Sequence, residues 1–358
     1  MHYIQNLKSI NTNLSNAYAQ ANVPIVDTLP HHVTITTTLR CNYRCLMCYQ
    51  NSFSGEIDWA AIRRLEKIMP FVRTLQVFGG EPLAYHRFGD LIKFSTAYGC
   101  STSTITNGSL LTDDMIKLAV SNNFSAIRFS IDAGTPKTYK YIRGGDFFQV
   151  LDNVRRLSKE KILQHKHSPV IFFNFVAMAC NIRELSKLVV ISSKLGVHGI
   201  KVAFPLLKKE ELLTECLYFH QEVSDEEMYK AKRIGESVGV HVDIPNLFSD
   251  PLPSEDEKRQ QYFCSDPWSK LLINIDGTTS VCCGGLPPIG NLLEQDIDDF
   301  WNNDLIQGIR KTVNTPDEPI ACKQCRVRKP SSHNLSMHIP PSLQEKALEL
   351  HGHRIKAR

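Results

Sequence analysis

Three cysteines stand within eight residues, Cys41-Asn-Tyr-Arg-Cys45-Leu-Met-Cys48. Thiolates at this spacing can wrap three corners of one cubic iron–sulfur cluster. The fourth iron then has no protein ligand. Clusters held by four cysteines are typically electron carriers, whereas an open iron can also bind a substrate. A zinc site is the plainer reading of close cysteines inside a cell. Zinc takes four ligands, and no further Cys or His follows nearby; the next cysteine is Cys100. A disulfide fits worse, because three is odd and no secretory context accompanies it.

A second set lies far downstream: Cys264, Cys282, Cys283, Cys322 and Cys325. Cys264 is followed by Ser-Asp-Pro-Trp268 and then by the strand-like run Leu271–Asp276. Asp276-Gly277 reads as a two-residue hairpin turn. The return strand, Thr278–Val281, ends at Cys282-Cys283, so Cys282 comes back toward Cys264. Cys322-x2-Cys325 adds two thiolates after Trp301. Cys264, Cys282, Cys322 and Cys325 thus make a four-cysteine set, fit for zinc or for a cluster. Cys100, Cys180 and Cys216 read as small buried hydrophobes.

The elements that must position these groups follow from periodicity. Strand-like runs occupy 33–38, 73–78, 101–106, 125–131, 169–177 and 199–204, with helical patterns between them such as Ile62, Leu65, Ile68 and Met69. The run Val170–Val176 is almost wholly apolar, as in strands buried on both faces of a parallel sheet. Six βα units fit between His31 and Leu207, and no strands are evident for the two more that a closed eight-fold barrel needs. Ligands of such sheets sit at the C-terminal strand ends. Polar or glycine-bearing stretches end three of the runs there: Phe78-Gly79-Gly80-Glu81-Pro82, Thr106-Asn107-Gly108 and Ser130-Ile-Asp132. Each also reads as an ordinary turn.

The chain has 358 residues, 42% hydrophobic, with a formal net charge of +4. That charge is too small to argue for nucleic acid, and no apolar run is long enough to span a membrane. The first residues lack the basic and apolar regions of a signal peptide. Eleven cysteines in such a chain suit a reducing, cytoplasmic setting with metal sites. Residues 1–30 read as a short helical or irregular extension. Residues 208–258 read as a helical connector with a capping-box-like Ser224-Asp-Glu-Glu227, ending in a polar, proline-bearing link. Residues 259–330 form a cysteine-rich unit, and 331–358 a tail whose basic end, His351–Arg358, reads as solvated.

The triplet directly after a strand, with Gly79-Gly80-Glu81-Pro82 after the next, resembles the signature of the radical S-adenosylmethionine (SAM) superfamily. The resemblance implies an α/β fold, a six-stranded partial barrel open on one side. It implies that Cys41, Cys45 and Cys48 hold a [4Fe–4S] cluster whose open iron binds SAM. It places Gly79, Gly80 and Glu81 at the methionine amino group, Thr106 and Asn107 in hydrogen bonds to SAM, Ser130 and Asp132 at the ribose, and Arg143 of Ile142-Arg143-Gly144 at the methionine carboxylate. Asn174 and Val202 then neighbour adenine. Met47 replaces the commoner aromatic there, and a thioether can still cover adenine. The second set resembles the SPASM and twitch extensions of these enzymes, in Cys264, in Gly277-x4-Cys282, in Gly290-Asn291-Leu292 and in Trp301-Asn302. Arg, Lys, Pro and Ser stand where further cysteines follow in the full SPASM pattern, which implies one auxiliary [4Fe–4S] cluster on Cys264, Cys282, Cys322 and Cys325. Cys283 falls outside that ligand set; as in radical epimerases, such a thiol can return a hydrogen atom to a substrate.

The expected activity is reductive cleavage of SAM to a 5′-deoxyadenosyl radical. That radical abstracts hydrogen from a small sugar- or aminocyclitol-like substrate, most simply for two-electron oxidation through the auxiliary cluster. The expected reductant is a flavodoxin or ferredoxin. The alternatives are a radical epimerase, a decarboxylase, a peptide-modifying maturase and, outside enzymes, an iron–sulfur or zinc module.

Overall fold

The structure is a computed structural model and describes residues 2–252, 254, 262–325 and 332–352. The ends of the connector (near 258), of the cysteine-rich unit (near 330) and of the tail lie outside them. Ten strands form one sheet: β1 (His32–Thr38), β2 (Thr74–Gly79), β3 (Ser101–Thr106), β4 (Ala126–Ser130), β5 (Val170–Val176), β6 (Gly199–Ala203), β7 (His241–Asp243), β8 (Lys270–Ile273), β9 (Thr278–Ser280) and β10 (Gly290–Asn291). Their order is β10-β9-β8-β1-β2-β3-β4-β5-β6-β7. The six expected βα strands are all present, and every pair from β1 to β6 is parallel.

The sheet runs further than expected on both sides. β7 adds in parallel to β6, and β8 adds in parallel to β1. β8 is also the first arm of the cysteine-bearing hairpin, so that hairpin continues the barrel sheet. The hairpin turn differs by one residue from expectation. Asn274 and Thr278 are joined by a backbone hydrogen bond, which leaves Ile275, Asp276 and Gly277 as a three-residue loop. Gly277 takes the left-handed position there (φ 79°), the usual place for glycine in such loops.

Alternation along the strands sorts the two faces. Leu75 and Val77, Ile127 and Phe129, and Ile171, Phe173 and Phe175 are buried in one hydrophobic core. Gln76 and Phe78, Arg128 and Ser130, and Phe172, Asn174 and Val176 are half-buried on the other face. β5 is therefore fully buried on one side only, despite its apolar run. Helices are set by local signals. Thr135 caps the helix Pro136–Arg143, which ends at Gly144 in the left-handed region. Ser224 is not a cap: it lies inside the helix Gln221–Val238, whose buried face is Ser224, Met228, Ala231 and Gly235. The spacing of that stripe explains why Ser224 lies on the buried face.

The first thirty residues fold onto the cysteine-rich unit. The helix His2–Gln20 places Ser15 Oγ 2.8 Å from the Trp268 carbonyl. The Trp268 indole donates to the Val23 carbonyl at 2.7 Å, and the Trp301 indole to that of Thr28 at 2.8 Å. Buried Arg310 donates to the carbonyls of Pro24 and Pro267, each at 3.0 Å. Both buried tryptophans thus satisfy their one donor and tie the chain's start to its last third. Among the described residues, no helix is long and apolar enough to cross a membrane.

Candidate functional site

The cysteine loop begins where β1 ends and is pinned to the mouth of β2. The Gly80 amide donates to the Thr38 carbonyl, and the Glu81 amide to that of Arg40, both at 2.8 Å. Gly79 has φ 154°, and a Cβ there would lie 2.3 Å from the Thr38 oxygen. A Cβ on Gly80 would lie 2.6 Å from the carbonyl oxygens of Leu39 and Arg40. Glycine is required at both positions because backbone meets backbone. The far side of the loop is held by the helix Pro136–Arg143, through a bond from the Leu46 amide to the Ile142 carbonyl at 2.8 Å.

Between these supports lies a cavity of about 560 Å³. Cys41, Cys45 and Cys48 line it together with Met47, Gly79, Gly80, Thr106, Asn107, Ser130 and Arg143. Residues from five stretches thus meet at the C-terminal ends of β1 to β4. Burial raises the Cys41 and Cys45 thiols above their usual range. Arg143 works against this at Cys45, with Nη1 3.5 Å from its sulfur. Among the described residues, no three His, Cys, Asp or Glu side chains converge tightly enough to hold a single metal ion. The three thiols line one cavity together.

Four expected site residues are not on the lining. Glu81 is fully buried, and its carboxylate is already taken: Thr106 Oγ1 donates at 2.5 Å, the Asn107 amide at 2.7 Å and the Leu83 amide at 3.0 Å. It orders the β3 end rather than facing the cavity. Asp132 sits one layer behind Arg143. One oxygen accepts the Val176 amide at 2.6 Å, and the other pairs with the Arg143 guanidinium. Burial by itself disfavours the charge on Arg143, but Asp132 and then Cys45 outweigh it and hold the group above its ordinary value. Asn174 pairs with Ser130 across β4 and β5 and so shares the cavity face. Its Oδ1 is buried and has no protein partner, which fits a donor from a bound ligand such as a ribose hydroxyl. Val202 faces away. Its register partner is Phe175, whereas Val176, which lines the cavity, pairs with Ala203.

The sequence reading missed Tyr43, Tyr49, Gln50, Phe78, Ile105, Val176, Pro205, Leu206 and Lys208, all on the lining. Phe78, Ile105 and Val176 were reachable by parity from Gly80, Asn107 and Asn174. The others sit on loops, where no period applies.

A second cavity, of about 280 Å³, is lined by Cys264, Cys282, Cys283, Cys322 and Cys325. Gly284 seats two of them: a Cβ there would lie 3.5 Å from the Cys282 sulfur and 3.7 Å from that of Cys325. The Asn314 side chain clamps the Cys264 backbone, its Oδ1 accepting the amide at 2.8 Å and its Nδ2 donating to the carbonyl at 3.0 Å. Cys283 is exposed at the rim. The donor set, all sulfur, suits a cluster.

Comparison with known proteins agrees. A family model for the radical SAM superfamily matches residues 35–175, and one for the SPASM iron–sulfur cluster-binding domain matches residues 264–326. The chain thus carries a radical SAM domain and a SPASM iron–sulfur domain. Its cofactors are accordingly [4Fe–4S] clusters and SAM. This radical SAM chain is 26% identical, over 197 residues, to a tungsten-containing aldehyde ferredoxin oxidoreductase cofactor-modifying protein of Pyrococcus furiosus; the match covers 52% of the chain and 55% of the relative. It is 24% identical over 173 residues to a mycofactocin maturase of Mycobacterium tuberculosis, covering 47% of the chain and 43% of the relative. These matches span about half the length of either relative. The fold is shared with Streptococcus suis SuiB bound to precursor peptide SuiA, at a TM-score of 0.63, 15% identity, and coverage of 84% of this chain and 71% of that one.

Proposed function

We propose that this radical SAM chain is an oxidising enzyme that removes hydrogen from a substrate carbon at the larger cavity. Cys41, Cys45 and Cys48 hold the first cluster. The backbone at Gly79 and Gly80 takes the methionyl ammonium, as carbonyl acceptors suit a cation. Arg143 takes the methionyl carboxylate, for which a planar guanidinium is matched. Ser130 and Asn174 take the ribose, and Met47, Val176, Pro205 and Leu206 cover adenine. Thr106 and Asn107 complete the polar rim, set in place by Glu81. When bound, SAM and the reduced cluster supply a 5′-deoxyadenosyl radical. The enclosing walls keep water and stray hydrogen donors from it. Cys264, Cys282, Cys322 and Cys325 would hold an auxiliary cluster, whose chemistry would be to take one electron from the substrate radical left after hydrogen abstraction. A flavodoxin- or ferredoxin-type protein would supply the separate electron that reduces the first cluster.

The observation that carries this reading is the convergence on one cavity of three thiols, two obligatory glycines and a buried guanidinium. The cavity is within the range of small-molecule sites and must also hold SAM. The likeness to SuiB and to a maturase favours a peptide presenting one residue. The modest volume equally favours a sugar-type small molecule, the second reading. The test is anaerobic reconstitution with SAM and dithionite, followed by deuterium transfer into 5′-deoxyadenosine from deuterated peptide or sugar candidates. Formation of 5′-deoxyadenosine supports the radical reading, and the deuterium source separates the substrate classes. Intact clusters without any 5′-deoxyadenosine would overturn it.

A further inference from the structure

One wall of the larger cavity is built from two loops with no regular structure of their own. Met47 comes from the cysteine loop, and Pro205 and Leu206 follow β6. Loops of this kind need support from elsewhere to hold a fixed shape. Behind the wall is a separate buried apolar cluster of Leu207, Leu212, Leu213, Cys216, Ile339 and Ala347, with Leu46 and Met47 packed against it. Ile339 and Ala347 come from the last described segment, residues 332–352, which carries the helices Leu335–His338 and Pro341–Leu350.

That segment is bonded and packed to the stretch that follows β6. The Leu207 amide donates to the His338 carbonyl at 2.8 Å. Lys346 pairs with Glu210. The His351 ring stacks on Phe219 at 4.0 Å, with planes 9° apart. The His338 ring packs edge-on against Phe204, 4.9 Å away. The two loops are also tied to each other, by Lys209 Nζ donating to the Leu46 carbonyl at 3.0 Å. Of the basic end His351–Arg358, expected to be solvated, His351 is half-buried against Phe219 and Gly352 is exposed; residues 353–358 lie outside the described residues.

We propose that residues 332–352 are a brace that positions the Met47–Pro205–Leu206 wall, and with it the cysteine loop, for SAM. This rests on the reading that the larger cavity binds SAM. Ile339 is the keystone because it is fully buried in the cluster that joins the segment to Leu207 and against which Leu46 and Met47 pack. Neither Ile339 nor Lys209 lines the cavity, so their effect on SAM must pass through the wall.

The test compares wild type, Ile339→Ala, Ile339→Val and Lys209→Ala, each reconstituted anaerobically. SAM dissociation constants come from equilibrium dialysis, and iron loss to a chelator from the fading of cluster absorbance. The expected result is a SAM dissociation constant raised about tenfold in Ile339→Ala and about threefold in Lys209→Ala, with Ile339→Val within twofold. Half the iron, that of the loop cluster, should leave faster in Ile339→Ala while the auxiliary half leaves at the wild-type rate. Ile339→Ala and Lys209→Ala binding SAM as tightly as wild type would overturn the brace. If Ile339→Ala fails to fold, Lys209→Ala, a surface change, decides alone. A wild-type chain that loads both clusters but binds no SAM would instead overturn the cavity reading, and the brace with it.

Discussion

Replacing Asp132 by Asn tests the buried pair behind the larger cavity. Asp132 is 0% exposed and the Arg143 side chain 12%. Asn keeps the shape and the oxygen that accepts the Val176 amide at 2.6 Å. It also tolerates the left-handed backbone at this position, φ 56°, better than most residues. The substitution therefore removes one charge and little else, leaving a guanidinium facing a neutral amide. Breaking a buried pair from one side costs about 3–5 kcal/mol. Arg143 keeps its contact with Cys45 and some access to solvent, so the lower figure, about 3 kcal/mol, applies. In a chain of this length that is a fall in Tm of about 4 °C. Asp132→Ala should cost a further ~1–2 kcal/mol, because it also orphans the Val176 amide. Adding Arg143→Met to Asp132→Asn should recover most of the loss, since the uncompensated charge is then gone. The assay is urea denaturation of the metal-free protein followed by tryptophan fluorescence. Asp132→Asn within about 0.5 kcal/mol of wild type, or no recovery in the double variant, would refute the reasoning.

Gly80→Ala drives a methyl against the Leu39 and Arg40 carbonyls, 2.6 Å away, and should displace the cysteine loop. Iron bound after reconstitution should drop by about half, to one cluster of four irons, while Gly308→Ala, with open space around it, should load normally. His31 is buried, its Nδ1 has no partner, and burial followed by the charges of His32 and Arg73 pushes its pKa down from 6.5 to about 4. The unfolded chain therefore takes up this proton first as pH falls. Its contribution is complete above pH 6.5 and is lost between 6.5 and about 4, by up to about 3 kcal/mol. His31→Leu should flatten the stability profile over that window, and an unchanged slope in denaturant titrations would contradict this. Cys283→Ala should keep all its iron, whereas Cys282→Ala should lose the auxiliary cluster; iron loss from Cys283→Ala would move the ligand assignment by one residue.

Much of the fold was legible because six strands carry strong local patterns. β7 was not: His-Val-Asp offers one apolar residue and pairs only because β6 presents an edge. β8 was seen as a hairpin arm, but its parallel pairing with β1 joins residues more than two hundred positions apart, beyond any local signal. At the site, residue types announced the thiols, the glycines and Arg143. They could not announce direction. Glu81 and Asp132 carry the same carboxylate as a ligand contact would, yet their partners are the β3 end and Arg143. Which of Asn174 and Val202 points inward was not legible; the strand register puts Asn174 on the cavity face and turns Val202 away. The clasp of the amino-terminal segment on Trp268 and Trp301, and the brace behind Met47, depend on long-range packing that no short motif encodes.

The central claim is that one chain carries two [4Fe–4S] clusters and that the first supports cleavage of SAM. The most direct measurement is iron and acid-labile sulfide per chain after anaerobic reconstitution. It is made on wild type and on the joint Cys41→Ala, Cys45→Ala and Cys48→Ala variant, with 5′-deoxyadenosine formed from SAM and dithionite read in parallel. Two clusters of four irons each give about eight irons in the wild type and about four in the variant, with all 5′-deoxyadenosine lost in the variant. An iron content untouched by the three substitutions, or a fully loaded wild type that leaves SAM intact, would contradict it.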